Sequence, residues 1–167
     1  YVDAGGHAVI AGEPTQTRVG GGLFASVSQV SFGATELAGS YGVQVGAETL
    51  YNVNDTDNDN NFKSIYATPT RGGILTEGVE TVTFDRSGYV VTSGDDVAVH
   101  YTAVEGTKTI DTRRAGTYPV VVRNDSVVFT ADGSFLSQPE LYDADNEVFT
   151  GNLLSFLAAG DSGNFGQ

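Results

Sequence analysis

The chain has 167 residues, enough for one domain with a hydrophobic core, and 40% of its residues are apolar, which excludes a disordered chain. Its 21 acidic residues outnumber 8 basic ones and give a net charge of −13, without any basic stripe for binding nucleic acid by counterion release. With no cysteine, the chain has no disulfide, no thiolate catalysis and no zinc site built on Cys.

Lysine is scarce as well, since only Lys63 and Lys108 represent it. In about 1 M salt the Debye length falls to about 3 Å, so a dense carboxylate surface is tolerated there. The composition therefore predicts a salt-adapted protein, the alternative being an ordinary acidic surface. No stretch is apolar over the length of a membrane span, so we expect no membrane insertion by this segment.

In chain order, the first predicted element is the end of a helix at residues 1–6, which glycines close. His7–Ala11 is almost wholly apolar, the pattern of a strand buried on both faces of a parallel sheet. A short helix is predicted at residues 35–41 and a strand at 42–45. Residues 52–61 are predicted to form an acidic, Asn-rich loop.

Strands dominate the prediction from residue 62 onward. Runs of β-branched and apolar residues predict strands at 62–67, 79–84, 96–103, 107–112, 118–123 and 126–131. The last two flank Asn124-Asp125, a turn that favours a hairpin. Apolar residues at helical spacing predict a final helix at 147–159, followed by a flexible tail at 161–167. Residues 1–160 are thus predicted to be a single domain.

Three segments, YVDAGGHAVIAGEP, YNVNDTDNDNNFKSIYATP and DADNEVFTGNLLSFLAAG, together resemble the uncharacterised class I glutamine amidotransferase-like domains of proteins from salt-loving archaea. The resemblance implies an α/β fold, a partial flavodoxin-like parallel sheet with a β-rich insertion and a C-terminal helix. It also implies that the chain lacks the family's N-terminal βα units. Amidotransferases of this class use a Cys nucleophile, which this chain lacks, so the resemblance implies a scaffold without that chemistry.

Polar residues follow two strands of the expected parallel sheet. Glu13 and Thr15 come after the first strand, and Asp132 and Ser134 come after the strand that ends at Ala131. Because ligands gather beyond the carboxyl ends of parallel strands, we predict that these four residues bind a ligand. The alternative is that they only hydrate the strand ends.

The two histidines of the chain, His7 and His100, are the only candidates for the base of a serine nucleophile. His7 begins the first strand, at the end where ligands do not gather. Strict alternation places His100 on the face opposite Val99 and Tyr101, so it is predicted to face solvent. Neither histidine therefore indicates a catalytic site.

Asp55, Asp57 and Asp59 have the alternating spacing of carboxylates that wrap a calcium ion, so they are candidate Ca²⁺ ligands. The rest of the calcium-loop pattern is absent, because Asn60 stands where it needs Gly and Tyr66 where it needs Glu. The alternative interpretation is a solvated acidic loop.

Asn54 and Asn124 each begin an Asn-x-Ser/Thr sequence in a predicted loop, so both are candidate N-glycosylation sites. Such sites are typical of extracellular proteins. We therefore expect an extracellular or membrane-anchored location at the cell surface.

The leading hypothesis is a non-catalytic binding or interaction module of a larger salt-adapted secreted or surface protein. Its partner is an unidentified protein or glycan, and no cofactor is expected beyond the candidate Ca²⁺. One alternative is a metal-dependent hydrolase that uses Glu13, Asp132 and the carboxylates of residues 55–59. The other is a purely structural cell-surface domain.

Overall fold

The structure, a computed structural model, describes residues 1–14, 16–20, 26–30 and 32–160, and strands dominate it. In chain order the strands of these residues are β1 (Ala8–Ala11), β2 (Gln16–Gly20), β3 (Ser26–Val30), β4 (Val43–Val45), β5 (Leu50–Tyr51), β6 (Ser64–Pro69), β7 (Val82–Asp85), β8 (Val90–Thr92), β9 (Val97–Ala103), β10 (Lys108–Thr109), β11 (Pro119–Asn124) and β12 (Val127–Thr130). The helices are α1 (Thr35–Ser40), α2 (Asn146–Gly160) and short 3-10 helices at Val2–Ala4, Ser134–Leu136 and Glu140–Tyr142.

Six strands form the main sheet, in the order β1-β12-β11-β9-β6-β7. β1 runs parallel to β12, and the other neighbours are antiparallel. The other strands form three two-stranded sheets, β2 with β3, β4 with β8, and β5 with β10. The residues 161–167 predicted to form a flexible tail lie outside the described part of the chain.

The predicted α/β fold class, a flavodoxin-like parallel sheet, is wrong. The strands that this prediction treated as an insertion build most of the main sheet themselves. Antiparallel neighbours need only short turns, such as the hairpin turn of β11 and β12, where Asp125 adopts φ 46°. The hairpin and the parallel first strand are confirmed, but β1 lies half-buried at the sheet edge instead of buried on both faces.

Helix α2 covers one face of the main sheet and closes the core, which confirms the predicted final helix. Its apolar stripe includes the fully buried Phe149 and Phe156. The Phe149 ring lies 5.0 Å from the ring of Tyr101 on β9 and 5.0 Å from that of Phe135, measured between centroids. Burying one such ring contributes about 1.5–3 kcal/mol, so these rings fix the helix on the sheet.

The start of α2 also closes the edge of the sheet at β7. The Asn146 side chain is fully buried and accepts a hydrogen bond from the Thr83 N–H at 2.9 Å. Its amide nitrogen donates to the carbonyls of Thr83 at 3.1 Å and Glu140 at 2.8 Å. One side chain therefore satisfies two backbone groups of the sheet edge at β7 and one carbonyl of the 3-10 helix Glu140–Tyr142.

A β-bulge interrupts β9 at His100. Val122 of β11 pairs with Val99 and Val121 pairs with Tyr101, so His100 is the extra residue. A bulge breaks the strict alternation of side chains, and both His100 and Tyr101 are buried, at 6% and 0% exposure. The prediction that His100 faces solvent is therefore wrong, because it assumed an uninterrupted strand.

Replacing Asn146 with Ala should lower the free energy of unfolding by at least about 2 kcal/mol, since buried backbone groups lose their partners. Denaturation with urea measures this change. Asn152→Ala is the matched control on the same helix, because Asn152 donates a single exposed hydrogen bond to the Glu77 carbonyl. Equal losses in the two variants would contradict the role given to Asn146.

Burial, and secondly the positive charges of Arg71 and Arg123, lower the pKa of His100 from 6.5 to about 4. The unfolded chain therefore takes up this proton at a higher pH than the folded chain does. The contribution of the neutral His100 side chain to the free energy of unfolding is fully present above about pH 6.5. It falls as the pH drops towards about 4, by at most about 3 kcal/mol. The unfolding free energy of wild type minus that of His100→Gln should decrease over this range. A difference that is constant with pH would contradict the prediction.

Candidate functional site

A compact loop at residues 52–62 shapes the candidate site. Its two ends are joined by the hydrogen bond from the Asn52 N–H to the Phe62 carbonyl, 2.8 Å long. Inside it, the buried Asn58 side chain donates to two carbonyls of the loop, that of Asn52 at 2.9 Å among them. The Asn52 side chain reaches the Glu105 carbonyl at 3.1 Å and attaches the loop to the turn after β9. These features are those of an Ω-loop packed by its own side chains.

Beside this loop lies an apolar groove of about 500 Å³, which we call the Phe62 groove. It is lined by Tyr51, Val53, Phe62, Lys63, Ile110 and Arg113.

The Phe62 groove presents apolar side chains to solvent. Val53 is 69% exposed and Phe62 is 48% exposed, and the Tyr51 ring meets the Phe62 ring edge-on at 6.4 Å. The pairing of β5 with β10, continued by the hydrogen bond from the Ile110 N–H to the Thr49 carbonyl, brings the two walls together. Large apolar groups left exposed side by side mark a surface suited to binding.

Two positive charges stand at the Phe62 groove. The Lys63 ammonium lies 5.5 Å from the centroid of the Phe62 ring, and Arg113 follows β10 in a turn where its φ is 55°. Neither cation forms an ion pair with a residue that the structure describes. The groove therefore combines an apolar surface with free positive charge in a chain whose net charge is −13.

A second, polar depression of about 680 Å³ adjoins the groove, and Val53 and Phe62 line both. Its remaining lining residues are Asp55, Asn58, Asn60 and Asn61. The amides and the carboxylate here can exchange hydrogen bonds with a polar ligand, whereas the groove itself offers apolar contact and positive charge.

The carboxylates of the predicted calcium site are placed separately along the loop. Asp55 is exposed, Asp57 accepts a hydrogen bond from the Asn54 amide, and Asp59 lies near Tyr66. The pKa of Tyr66 is raised by burial first and then by the negative charge of Asp59. Among the described residues no group of three or more His, Asp or Glu side chains could hold a metal ion. Calcium binding stays a prediction without geometric support.

At the strand ends, the structure brings together two of the four predicted ligand-binding residues. β1 and β12 end side by side, and Asp132 accepts hydrogen bonds from the Ser134 N–H at 2.8 Å and from the Ser134 hydroxyl. Burial raises the pKa of Asp132, and the bonds from Ser134 oppose that rise. Glu13 is exposed, and Thr15 lies outside the described residues. Asp132 thus stabilises its own turn, and ligand binding here stays a prediction.

The two candidate glycosylation sites differ in accessibility. Asn54 is exposed on the loop, and its amide nitrogen donates to Asp57. Asn124 is half-buried at the end of β11 and donates to the Tyr41 carbonyl at 2.9 Å. A glycan on Asn124 would displace that hydrogen bond. Glycosylation of either residue stays a prediction.

The sequence interpretation missed the Phe62 groove. β5 is only two residues long, too short to show periodicity, and Ile110 and Arg113 are distant from it in sequence. One local signal was present, since Val53 and Phe62 flank an acidic loop and one of the two lysines follows directly.

No family model matches the chain, and no curated protein matches it in sequence. Among solved structures, the chain is similar to one described as "mmIFT52 N-terminal domain", with a TM-score of 0.58 and 8% identity. The similarity covers 74% of this chain and 56% of the other, so the chain spans little more than half the length of that neighbour. At this identity the likeness shows the fold alone.

The interpretation of the chain as an amidotransferase-like, flavodoxin-like domain is wrong. The main sheet is mixed and mostly antiparallel, and one structural neighbour is an IFT52 N-terminal domain. The segments that carried the resemblance contain β1, β6 and α2 with the loops beside them, and short sequence matches of this kind fit many folds. Nothing in the comparisons supports a salt-loving source or an extracellular location. No helix of the described residues is long and apolar enough to cross a membrane.

Replacing Asn58 with Ala should loosen the loop at 52–62, because two carbonyls lose their donor at a cost of about 1–3 kcal/mol. Amide hydrogen exchange should become faster across residues 52–63. Asp55→Ala is the control, since the Asp55 side chain is exposed on the same loop. Unchanged exchange in Asn58→Ala would show that the loop does not depend on this side chain.

Proposed function

We propose that this chain is a non-catalytic binding module whose Phe62 groove holds a segment of a partner protein with a large apolar side chain next to carboxylates. The observation that carries the proposal is the pair of cations without ion-pair partners among the described residues, Lys63 and Arg113, beside exposed apolar side chains in an acidic chain.

The apolar surface supplies the affinity in this proposal. Covering a side chain such as Phe62 with another apolar group removes both from water, which contributes about 1.5–3 kcal/mol for each fully buried side chain. Aromatic residues near the centre of an interface are frequent hot spots of binding energy. Phe62 is only half covered in the free chain, so it has area left to bury.

The charges supply selectivity. A chain of net charge −13 repels an acidic partner over most of its surface, whereas Lys63 and Arg113 attract it at the groove. Each exposed ion pair adds up to about 1 kcal/mol, less than the apolar contact does. The cations therefore select and orient an acidic segment more than they strengthen its binding.

The alternative functions have less support. A metal-dependent hydrolase needs a cluster of ligands, which the described residues do not form. A purely structural domain does not require exposed apolar side chains next to two cations that have no ion-pair partner within the described part of the chain. Salt adaptation and a surface location stay expectations from composition and sequence.

Selection of peptides from a random library displayed on phage tests the proposal. Enriched peptides should carry a bulky apolar residue flanked by Asp or Glu. A synthetic peptide of that kind should bind at least about tenfold more weakly to Phe62→Ser, Lys63→Glu or Arg113→Glu, because apolar area or attraction is lost.

Arg71→Glu is the matched control, since Arg71 is exposed, follows the end of β6 that is distant from Lys63, and does not line the groove. It should retain the affinity of wild type, and circular dichroism should show that all four variants are folded. Enrichment of basic peptides, or full affinity in Phe62→Ser, would overturn the proposal. No enrichment at all would favour the structural alternative.

A further inference from the structure

The polar depression beside the Phe62 groove is joined to it by three consecutive residues. Asn61 lines the depression, Lys63 lines the groove, and Phe62 between them lines both. The side-chain oxygen of Asn61 accepts a hydrogen bond from the Lys63 N–H at 3.0 Å, which holds these two residues in one arrangement. A ligand that covers the Phe62 ring therefore lies next to both cavities at once.

The two cavities carry charges of opposite sign. The charged residues that line the groove are Lys63 and Arg113, whereas the charged residue that lines the depression is Asp55. The Asp55 side chain is exposed, and it forms no ion pair with a residue that the structure describes. The binding surface therefore changes from positive to negative across the apolar side chains of Val53 and Phe62, which line both cavities.

The carboxylate in the depression favours a cationic ligand group over a neutral one. Hydrogen bonds between two charged groups are about twice as strong as those between neutral groups. Asp57 and Asp59 belong to the same loop and add to the negative potential around Asp55. A lysine or arginine side chain of a partner therefore fits the depression, whereas a carboxylate fits the groove beside Lys63 and Arg113.

We propose that the partner segment carries opposite charges on the two sides of its large apolar residue, a carboxylate at the Phe62 groove and a lysine or arginine that pairs with Asp55. This inference rests on the proposed function and adds the orientation of the segment, because a segment bound in reverse places each charge beside a like charge. In an extended segment, side chains two residues apart lie on one side, about 7 Å from each other. The basic residue should therefore stand about two positions from the apolar residue.

The sequences of the peptides that the phage selection enriches test the orientation first. The acidic and the basic residue should stand on opposite sides of the apolar residue, in the same order in the enriched peptides, whereas the random library contains both orders equally. Enrichment of both orders in equal numbers, or of apolar and acidic residues without a base, would overturn this inference and leave the proposed function in place. No enrichment at all would overturn both.

A synthetic peptide of the enriched order tests the role of Asp55. Replacing its basic residue with Gln should weaken binding to wild type about two- to fivefold, because one exposed ion pair is lost. Asp55→Asn should weaken binding of the original peptide by a similar factor. In that variant the change of base to Gln should have no further effect, since the same pair is already absent. The peptide of reversed sequence should bind wild type at least about tenfold more weakly, because both charges then meet like charges.

Asp95→Asn is the matched control, because Asp95 is exposed between β8 and β9, lines neither cavity, and its replacement changes the net charge by the same amount. It should bind the original peptide as wild type does. Circular dichroism should show that both variants are folded. Full affinity in Asp55→Asn, equal losses in Asp55→Asn and Asp95→Asn, or equal affinity of wild type for the peptide and its reverse would overturn the inference.

Discussion

The pairing of β9 with β11 is the constraint on which the packing of the core depends. It carries two compensating irregularities, the extra residue His100 in β9 and the extra residue Val120 in β11, after which Pro119 pairs with Thr102. The shift turns Tyr101 towards α2, where its ring packs on Phe149 and its hydroxyl donates to the Leu75 carbonyl at 2.7 Å. An uninterrupted ladder would lose this contact and would return His100 to strict alternation.

The local elements were largely predictable from the sequence, whereas their arrangement was not. Runs of β-branched residues gave β6, β9, β11 and β12 to within a few residues, and helical spacing gave α2. The strand partners depend on long-range contacts that no local pattern encodes. The apolar β1 suggested a parallel sheet, yet it forms the one parallel pair of the main sheet and the rest is antiparallel. A correct strand thus led to a wrong fold class.

The candidate site was harder to predict, because its parts come from separate segments. Tyr51 and Phe62 meet Ile110 and Arg113 only through the pairing of β5 with β10. The alternating aspartates of the same loop drew attention to metal binding, but a spacing in sequence does not make carboxylates converge. The side chains of Asn52 and Asn58 set the loop geometry instead, through hydrogen bonds to backbone carbonyls.

Because the chain has only 8 basic residues, the positions of these residues indicate where it can attract an acidic partner. Two of the eight basic residues, Lys63 and Arg113, line the Phe62 groove. Net repulsion of an acidic partner acts over the Debye length, about 10 Å at 0.1 M salt and about 3 Å at 1 M. Apolar contact and bidentate hydrogen bonds act at contact distance and are screened much less. Rising salt therefore removes the long-range repulsion before it removes the local attraction, so an acidic ligand of the Phe62 groove should bind best at intermediate or high ionic strength.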